Sequence, residues 1–234
     1  MSEALTDATK PQGPPRPAGQ RAVRPKNAAT MILIRRDGPK LRVLMGRRNN
    51  RHTFMPGMWV FPGGRVDRAD RHAPAASDLQ PEIAALFETH ARPGRALALA
   101  AVRETFEEAG LLLARPAPSR PGAGPWREFL AQGALPDLSA LDVVARAITP
   151  PSVAKRFDTW FMLAEADRLI SLERQPDCGE LDEIAWVDFD EAIELKLPNV
   201  TRFVLGEARA RLDDPSRPRL FLKKGASHPT RVVL

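Results

Sequence analysis

The chain has 234 residues, a formal net charge of +6, 43% hydrophobic residues, four histidines and one cysteine, which is ample for one mixed α/β core. It has no apolar run near the roughly 18 residues of a membrane span and no apolar centre of a secretory signal. Cys178 has no second cysteine to pair with, which fits a reducing compartment, so a cytoplasmic protein with no membrane partner is expected. Half the positive excess lies in residues 1–27, where Lys10, Arg16, Arg21, Arg24 and Lys26 against Glu3 and Asp7 give +3. With five prolines and few large apolar residues, that segment reads as a disordered basic tail. Residues 28–234 read as one domain.

In chain order, Ala28 to Ile34 reads as an apolar strand, Asp37-Gly38-Pro39 as a turn and Leu41 to Met45 as a second strand, together a hairpin. Met58 to Phe61 is a short strand that runs into Phe61-Pro62-Gly63-Gly64-Arg65-Val66-Asp67. There, the glycines permit positive φ and close backbone approach. His72 to Arg92 mixes helix formers with turn residues and reads as the body of an insertion spanning about 68–94, closed by Pro93-Gly94. From Ala96 to Ala109, the spacing of Leu97, Leu99, Val102 and Phe106 fits a helix with its apolar side on a sheet, and Gly110 supplies the C-terminal cap.

Ala114 to Gly124 is a proline- and glycine-rich loop, and Trp126 to Gln132 reads as a helix. Asp142 to Ile148 leads to Thr149-Pro150-Pro151. Phe157 to Leu163 and Ile184 to Val187 have strand character. Asp188 to Leu195 and Asn199 to Leu212 read as helices, and Leu220 to Leu222 as a short edge strand. No internal repeat is evident. Strands interleaved with two or three helices predict an α/β/α sandwich with a mixed sheet.

The chemistry concentrates in Arg103 to Leu111, RETFEEAGL. At about 100° per residue, Glu107 and Glu108 stand over Glu104 on one helical face. Three like charges destabilise a bare helix, so the cluster suggests a divalent metal, while Arg103 is spaced to hold Glu107. An acidic pair on a helix is commonly only a solvated face. The upstream Gly63-Gly64 changes that reading.

FPGG followed by RETFEEAGL resembles the Nudix hydrolase signature, G-x5-E-x7-R-E-U-x-E-E-x-G-U, where U is a bulky aliphatic residue. Gly64, Arg103, Glu104, Glu107, Glu108, Gly110 and Leu111 match, whereas Thr105 stands where an aliphatic is expected. Arg103 follows Gly64 by 39 positions (103 − 64) against 14 in the signature, an excess of 25 (39 − 14). Counted back from Arg103, the first glutamate falls on Arg95, so its role is lost or passes to Asp67, Asp70, Glu82 or Glu88. This split form is similar to the Nudix branch that includes peroxisomal coenzyme A diphosphatases, and the resemblance covers most of Asn27 to Leu212.

The resemblance implies a Nudix-like α/β/α sandwich with a catalytic loop-helix-loop. It also implies a hydrolase dependent on Mg²⁺ or Mn²⁺, with Glu104, Glu107 and Glu108 as metal ligands and Arg103 as their support. Its substrate would be a nucleoside diphosphate linked to another group, such as coenzyme A or an acyl-CoA. The base that activates water is sought in Glu180, Asp182 and Glu183, with Glu183 or Glu180 favoured. Gly63 and Gly64 would approach the substrate, with Arg47, Arg48 and Arg51 on the phosphates of a nucleotide or on the 3′-phosphate of coenzyme A. Trp59, Phe61, Phe157, Trp160 and Trp186 could stack on a base, although aromatics at strand spacing are more often core. The four histidines have no metal-ligand spacing. A small-molecule nucleotide is the expected partner, nucleic acid is not, and a homodimer is one admissible assembly. Two alternatives stay open: an inactive nucleotide-binding or regulatory module of the same fold, and an RNA-processing pyrophosphohydrolase suggested by the pI near 10.1.

Overall fold

A computed structural model describes residues 13–49, 56–174, 181–224 and 229–234. Strand β1 (Lys26–Asp37) is its spine. Ala29, Met31 and Leu33 point into one apolar cluster and Ile32 and Ile34 into another, so the strand is buried on both faces, as a central strand must be. It turns at Asp37 into β2 (Lys40–Arg48), which it pairs antiparallel, the expected hairpin.

Seven further strands complete a mixed sheet: β3 (Trp59–Val60), β4 (Gly63–Arg65), β7 (Asp142–Ile148), β8 (Phe157–Glu165), β9 (Leu181–Asp188), β10 (Leu220–Lys224) and β11 (Pro229–Val233). The main order is β11-β10-β7-β8-β1-β2-β3, with β4 on β1 and β9 on β2. The pairs β1–β8 and β7–β10 are parallel. The segment 142–148, given no element from the sequence, is therefore an interior strand. The strand at 220–222 lies between β7 and β11 instead of at the edge. A separate ribbon, β5 (Ala114–Pro116) with β6 (Ala134–Pro136), takes up the start of the expected proline-rich loop.

Helices cover both faces. On the first lie α1 (Pro81–Thr89), α2 (Gly94–Ala109) and α3 (Arg127–Ala131); on the second lie α4 (Phe189–Ala192) and α5 (Asn199–Asp213). The layers form the α/β/α sandwich. The helix expected at 188–195 is one turn only, since Asp188 caps Asp190 N and the chain leaves the helix after Ala192. None of the described helices is long and apolar enough to cross a membrane.

The insertion is packed into the core. Ile83 and Phe87 of α1 are 1% exposed, and the Phe87 ring lies 4.5 Å from that of Trp160 on β8. Residues 13–25, part of the expected tail, run along the β7–β8 connection. Arg16 N donates to Ser152 O at 2.7 Å, Ala154 N to Pro14 O at 3.0 Å, and Arg156 Nη1 to Val23 O at 2.9 Å.

Candidate active site

Helix α2 is built for burial. Its first two turns are Gly, Ala and Leu apart from Arg95, small enough to lie close to β1, and Leu97 to Val102 are 0% exposed. Gly110 ends it in the left-handed conformation at φ 67°, donating its N–H to Phe106 O at 2.8 Å, as a C-terminal glycine does. Thr105, at the aliphatic position of the signature, is tolerated because its buried hydroxyl donates to Ala101 O at 2.8 Å. Leu111 is wholly buried.

Arg103 organises the polar end of this helix. Its Nε and Nη2 donate to the two oxygens of Asp70 at 2.9 and 3.1 Å. Nη1 bridges Glu104 Oε1 at 2.8 Å and Glu107 Oε2 at 2.7 Å, and Nη2 also reaches Arg65 O at 3.1 Å. All five N–H groups of a guanidinium point outward in one plane, which is why one side chain can order three carboxylates. Burial alone would lower the Arg103 pKa, but the bond from Asp70 and the charges of Glu104, Asp70 and Glu107 raise it above its ordinary value. It stays a cation.

Of the four carboxylates that could stand in for the signature's first glutamate, Asp70 is the one that pairs with Arg103. It is 0% exposed and accepts from Arg103, from Trp126 Nε1 at 3.0 Å and from Asp67 N at 2.7 Å. The signal was present: Asp70 lies six positions after Gly64 (70 − 64), the signature's glutamate position when counted forward from its glycine. The extra residues therefore come after Asp70. Arg95, reached by counting backward, instead pairs with exposed Asp78 at 3.3 Å.

The glycines serve close approach. Strand β4 pairs antiparallel with β1, and a Cβ on Gly63 would come within 2.6 Å of Ala29 O. A Cβ on Gly64 would overlap the carboxylate of Glu104. Gly63 N donates to Glu108 Oε2 at 2.8 Å. Gly63 and Gly64 also line a pocket of about 400 Å³ on the other side of β4, with Thr30, Arg48, Arg65, Lys155, Phe157 and Phe161 among its walls. That is the size and mixture of a small-molecule site. The carboxylates and the pocket meet across a strand that has no side chains at the point of contact.

Among the described residues, no three His, Cys, Asp or Glu side chains converge as a ready-made metal cage. Arg103 Nη1 lies between Glu104 and Glu107 instead. The donor set still fits a hard divalent cation, being all carboxylate oxygen. A carboxylate has about four lone-pair sites, so an arginine bond and a metal bond are compatible. Burial first, and then the charges of Glu104 and Asp70, hold the Glu107 pKa above its ordinary value against the pull of Arg103. A cation beside it would relieve that unfavourable charge.

Two expected residues lie elsewhere. Glu183 stands opposite Arg47 in the β2–β9 register and pairs with it at 3.1 Å, both about half exposed. By strand alternation Glu183 shares a face with Val187, which packs beside α5, whereas Ile184 and Trp186 face the α2 side. The structure thus does not bring Glu183 to the carboxylates of α2, and Arg47 is held by it; the neighbouring Arg48 lines the pocket in its stead. Asp182 accepts from Asn49 Nδ2 at 2.6 Å. Arg51, Cys178 and Glu180 lie outside the described residues. Of the aromatics, Trp160 is wholly buried core, while Phe61 and Phe157 reach the pocket.

The NUDIX domain family model matches residues 24–204. The acyl-coenzyme A diphosphatase NUDT19 of Gallus gallus is 32% identical, with the match covering 65% of this chain and 55% of that one. Its Homo sapiens counterpart is 30% identical over the same shares. The chain thus spans about half the length of these relatives. Among solved structures, a NUDIX hydrolase from Alicyclobacillus acidocaldarius superposes with a TM-score of 0.58 at 28% identity, covering 79% of this chain and 90% of that chain.

Proposed function

The chain belongs to the NUDIX domain family, and from that premise we propose that it hydrolyses the diphosphate of a nucleoside diphosphate linked to another group, with coenzyme A or an acyl-CoA as the favoured substrate. The observation that carries this reading is the junction across β4, where Gly63 and Gly64 touch Glu108 and Glu104 on one side and line the pocket on the other. Bound by Glu104, Glu107 and Glu108, Mg²⁺ or Mn²⁺ would neutralise the diphosphate and stabilise the charge that develops on the leaving oxygen.

The chain's own residues supply the rest. Arg103 fixes Glu104 and Glu107 relative to each other through one nitrogen, and Gly63 N–H fixes Glu108. Positioning of this kind removes orientational entropy from the reaction. Arg48, Arg65 and Lys155 give the pocket the charge to attract a diphosphate, and Phe157 and Phe161 give it surface for an apolar or aromatic group. A carboxylate of the α2 cluster accepts the proton of the attacking water. The names of the two NUDT19 relatives support the choice of acyl-CoA.

The test is a substrate panel. The purified chain with Mg²⁺ is offered coenzyme A, an acyl-CoA, NADH, ADP-ribose, diadenosine polyphosphates and capped RNA, and products are resolved by chromatography. Coenzyme A or its thioester giving the most product supports the reading. Turnover of none of them overturns it in favour of a binding module.

A further inference from the structure

One wall of the substrate pocket is the connection between β7 and β8. Thr149, Lys155 and Phe157 line the pocket, and the turn between them runs from Pro150 to Arg156. Its base is closed by Thr149 N donating to Phe157 O at 2.9 Å and by Phe157 N donating to Thr149 Oγ1 at 3.1 Å. Its tip projects outward, with Pro151, Ser152 and Lys155 exposed. A surface turn has few packing contacts of its own, so where Lys155 and Phe157 stand depends on what holds the tip.

Residues 13–25 hold it. Arg16 N donates to Ser152 O at 2.7 Å and Ala154 N to Pro14 O at 3.0 Å, with Pro15 and Val153 paired antiparallel between them. Val153 is only 1% exposed although its neighbours at the tip are open to solvent. Arg156 makes the second tie. Its Nη1 donates to Val23 O and its Nε to Thr149 O, each at 2.9 Å, and its backbone O accepts from Lys26 N at 3.0 Å. One residue thus joins the segment, the base of the turn and the start of β1. Pro14, Pro15, Pro17 and Pro25 each fix their own φ, which lowers the entropy lost when the segment docks. The segment is otherwise largely exposed, and a piece of chain held by a few bonds opens without unfolding the rest.

We propose that residues 13–25 are a strap that sets the β7–β8 wall of the pocket, with Arg156 as the positioning residue, so that substrate affinity depends on strap docking and the chemical step does not. The proposal rests on the reading of this pocket as the substrate site. It also carries a reciprocal consequence: a ligand that binds more tightly when the strap is docked stabilises the docked strap by the same factor.

The experiment uses the full chain with Cys178→Ser throughout, alone, with Arg156→Ala, and with Arg156→Ala plus Pro15→Cys and Val153→Cys, a directly opposed pair that a disulfide can span. Arg156→Ala should raise KM for coenzyme A roughly tenfold with kcat within about twofold, as the loss of two bonds from a charged group permits. Oxidising the cysteine pair, verified by mass, should return KM to the parent value, and reduction should raise it again. An unchanged KM, a fall confined to kcat, cysteines that do not pair under oxidant, or a KM that stays high with the disulfide formed would overturn the proposal. Should Arg156→Ala not fold, trypsin cleavage after Arg21 of the unmodified chain decides. Saturating ADP with Mg²⁺ should slow that cut by roughly tenfold, and equal rates with and without it would overturn the strap. If coenzyme A is not hydrolysed, the hydrolase reading fails separately, and calorimetric binding of ADP with Mg²⁺ to the same variants takes the place of KM. Binding weakened by Arg156→Ala and restored by the disulfide supports the strap; equal binding, or none to the parent, overturns it.

Discussion

Replacing Asp70 by Asn keeps the shape of a buried side chain while removing the charge that faces Arg103. Breaking a buried ion pair costs about 3 kcal/mol or more when the remaining charge has no other partner; Arg103 keeps Glu104 and Glu107, so Asp70→Asn should cost less than that, still melt measurably lower, and lose turnover as Arg103 shifts. A melting temperature within one degree of the parent would refute the role given to Asp70. Gly64→Ala tests geometry without removing any charge. Its Cβ displaces the Glu104 carboxylate, and misplacement by about 1 Å can cost on the order of a hundredfold in rate, so kcat should collapse while the fold persists. Unchanged kcat would mean that Glu104 does not work where it stands. The sequence exposed Arg103 with Glu104 and Glu107 because helical spacing alone sets both carboxylates within reach of one guanidinium. It left Asp70 one of several because an insertion breaks the count from one side. It misled on Glu183, since the face a strand residue takes depends on register, which one-dimensional spacing does not contain.

The insertion behaves as an element of the core. Phe87 on α1 packs against Trp160 with the rings tilted at 48°, and a Cβ on Gly94 would press into the Phe87 ring, so α1, the start of α2 and β8 are fitted to one another. Truncating a fully buried phenylalanine costs about 3–5 kcal/mol. Phe87→Ala should therefore lower the denaturant midpoint of the whole domain in one transition; a separate early transition confined to the insertion would show that it folds independently. The β1–β2 hairpin and α2 were legible because each carries its own periodicity and its own stop signal, Gly38 or Gly110. Strand β4 carried no strand signal because two glycines have no strand propensity and are held by pairing to β1. The ribbon β5–β6 was missed for a similar reason: its proline-bearing strands depend on each other across 17 intervening residues.

For the molecule as a whole, two aspartates, buried Asp137 and partly exposed Asp142, tie distant segments together. Burial alone would raise the pKa of Asp137, but bonds from Ser139, Ser77, Arg115 and Arg168 hold it well below the ordinary aspartate value. Asp142 is likewise depressed by Arg211 and Arg219. A carboxylate with a depressed folded-state pKa contributes stability that is fully present above its unfolded value, about 3.9, and is lost as pH falls through the folded one. Stability should thus hold from neutral pH down to about 4 and drop steeply below that. Asp137→Asn should flatten the drop, which thermal denaturation across pH would register; an unaltered acid limb would remove Asp137 from the account. The sandwich was legible from the order of strands and helices, but these long-range arginine–aspartate ties were not, because they join residues that only the finished fold brings close.

The metal site is tested by the rate of coenzyme A hydrolysis as Mg²⁺ is titrated from zero to millimolar concentration, for the parent chain and for Glu107→Gln. A saturable requirement for the cation is expected in the parent and a fall of orders of magnitude in the variant, with its melting curve preserved. Hydrolysis that proceeds equally without added cation in the presence of a chelator, or a variant as fast as the parent, would contradict it.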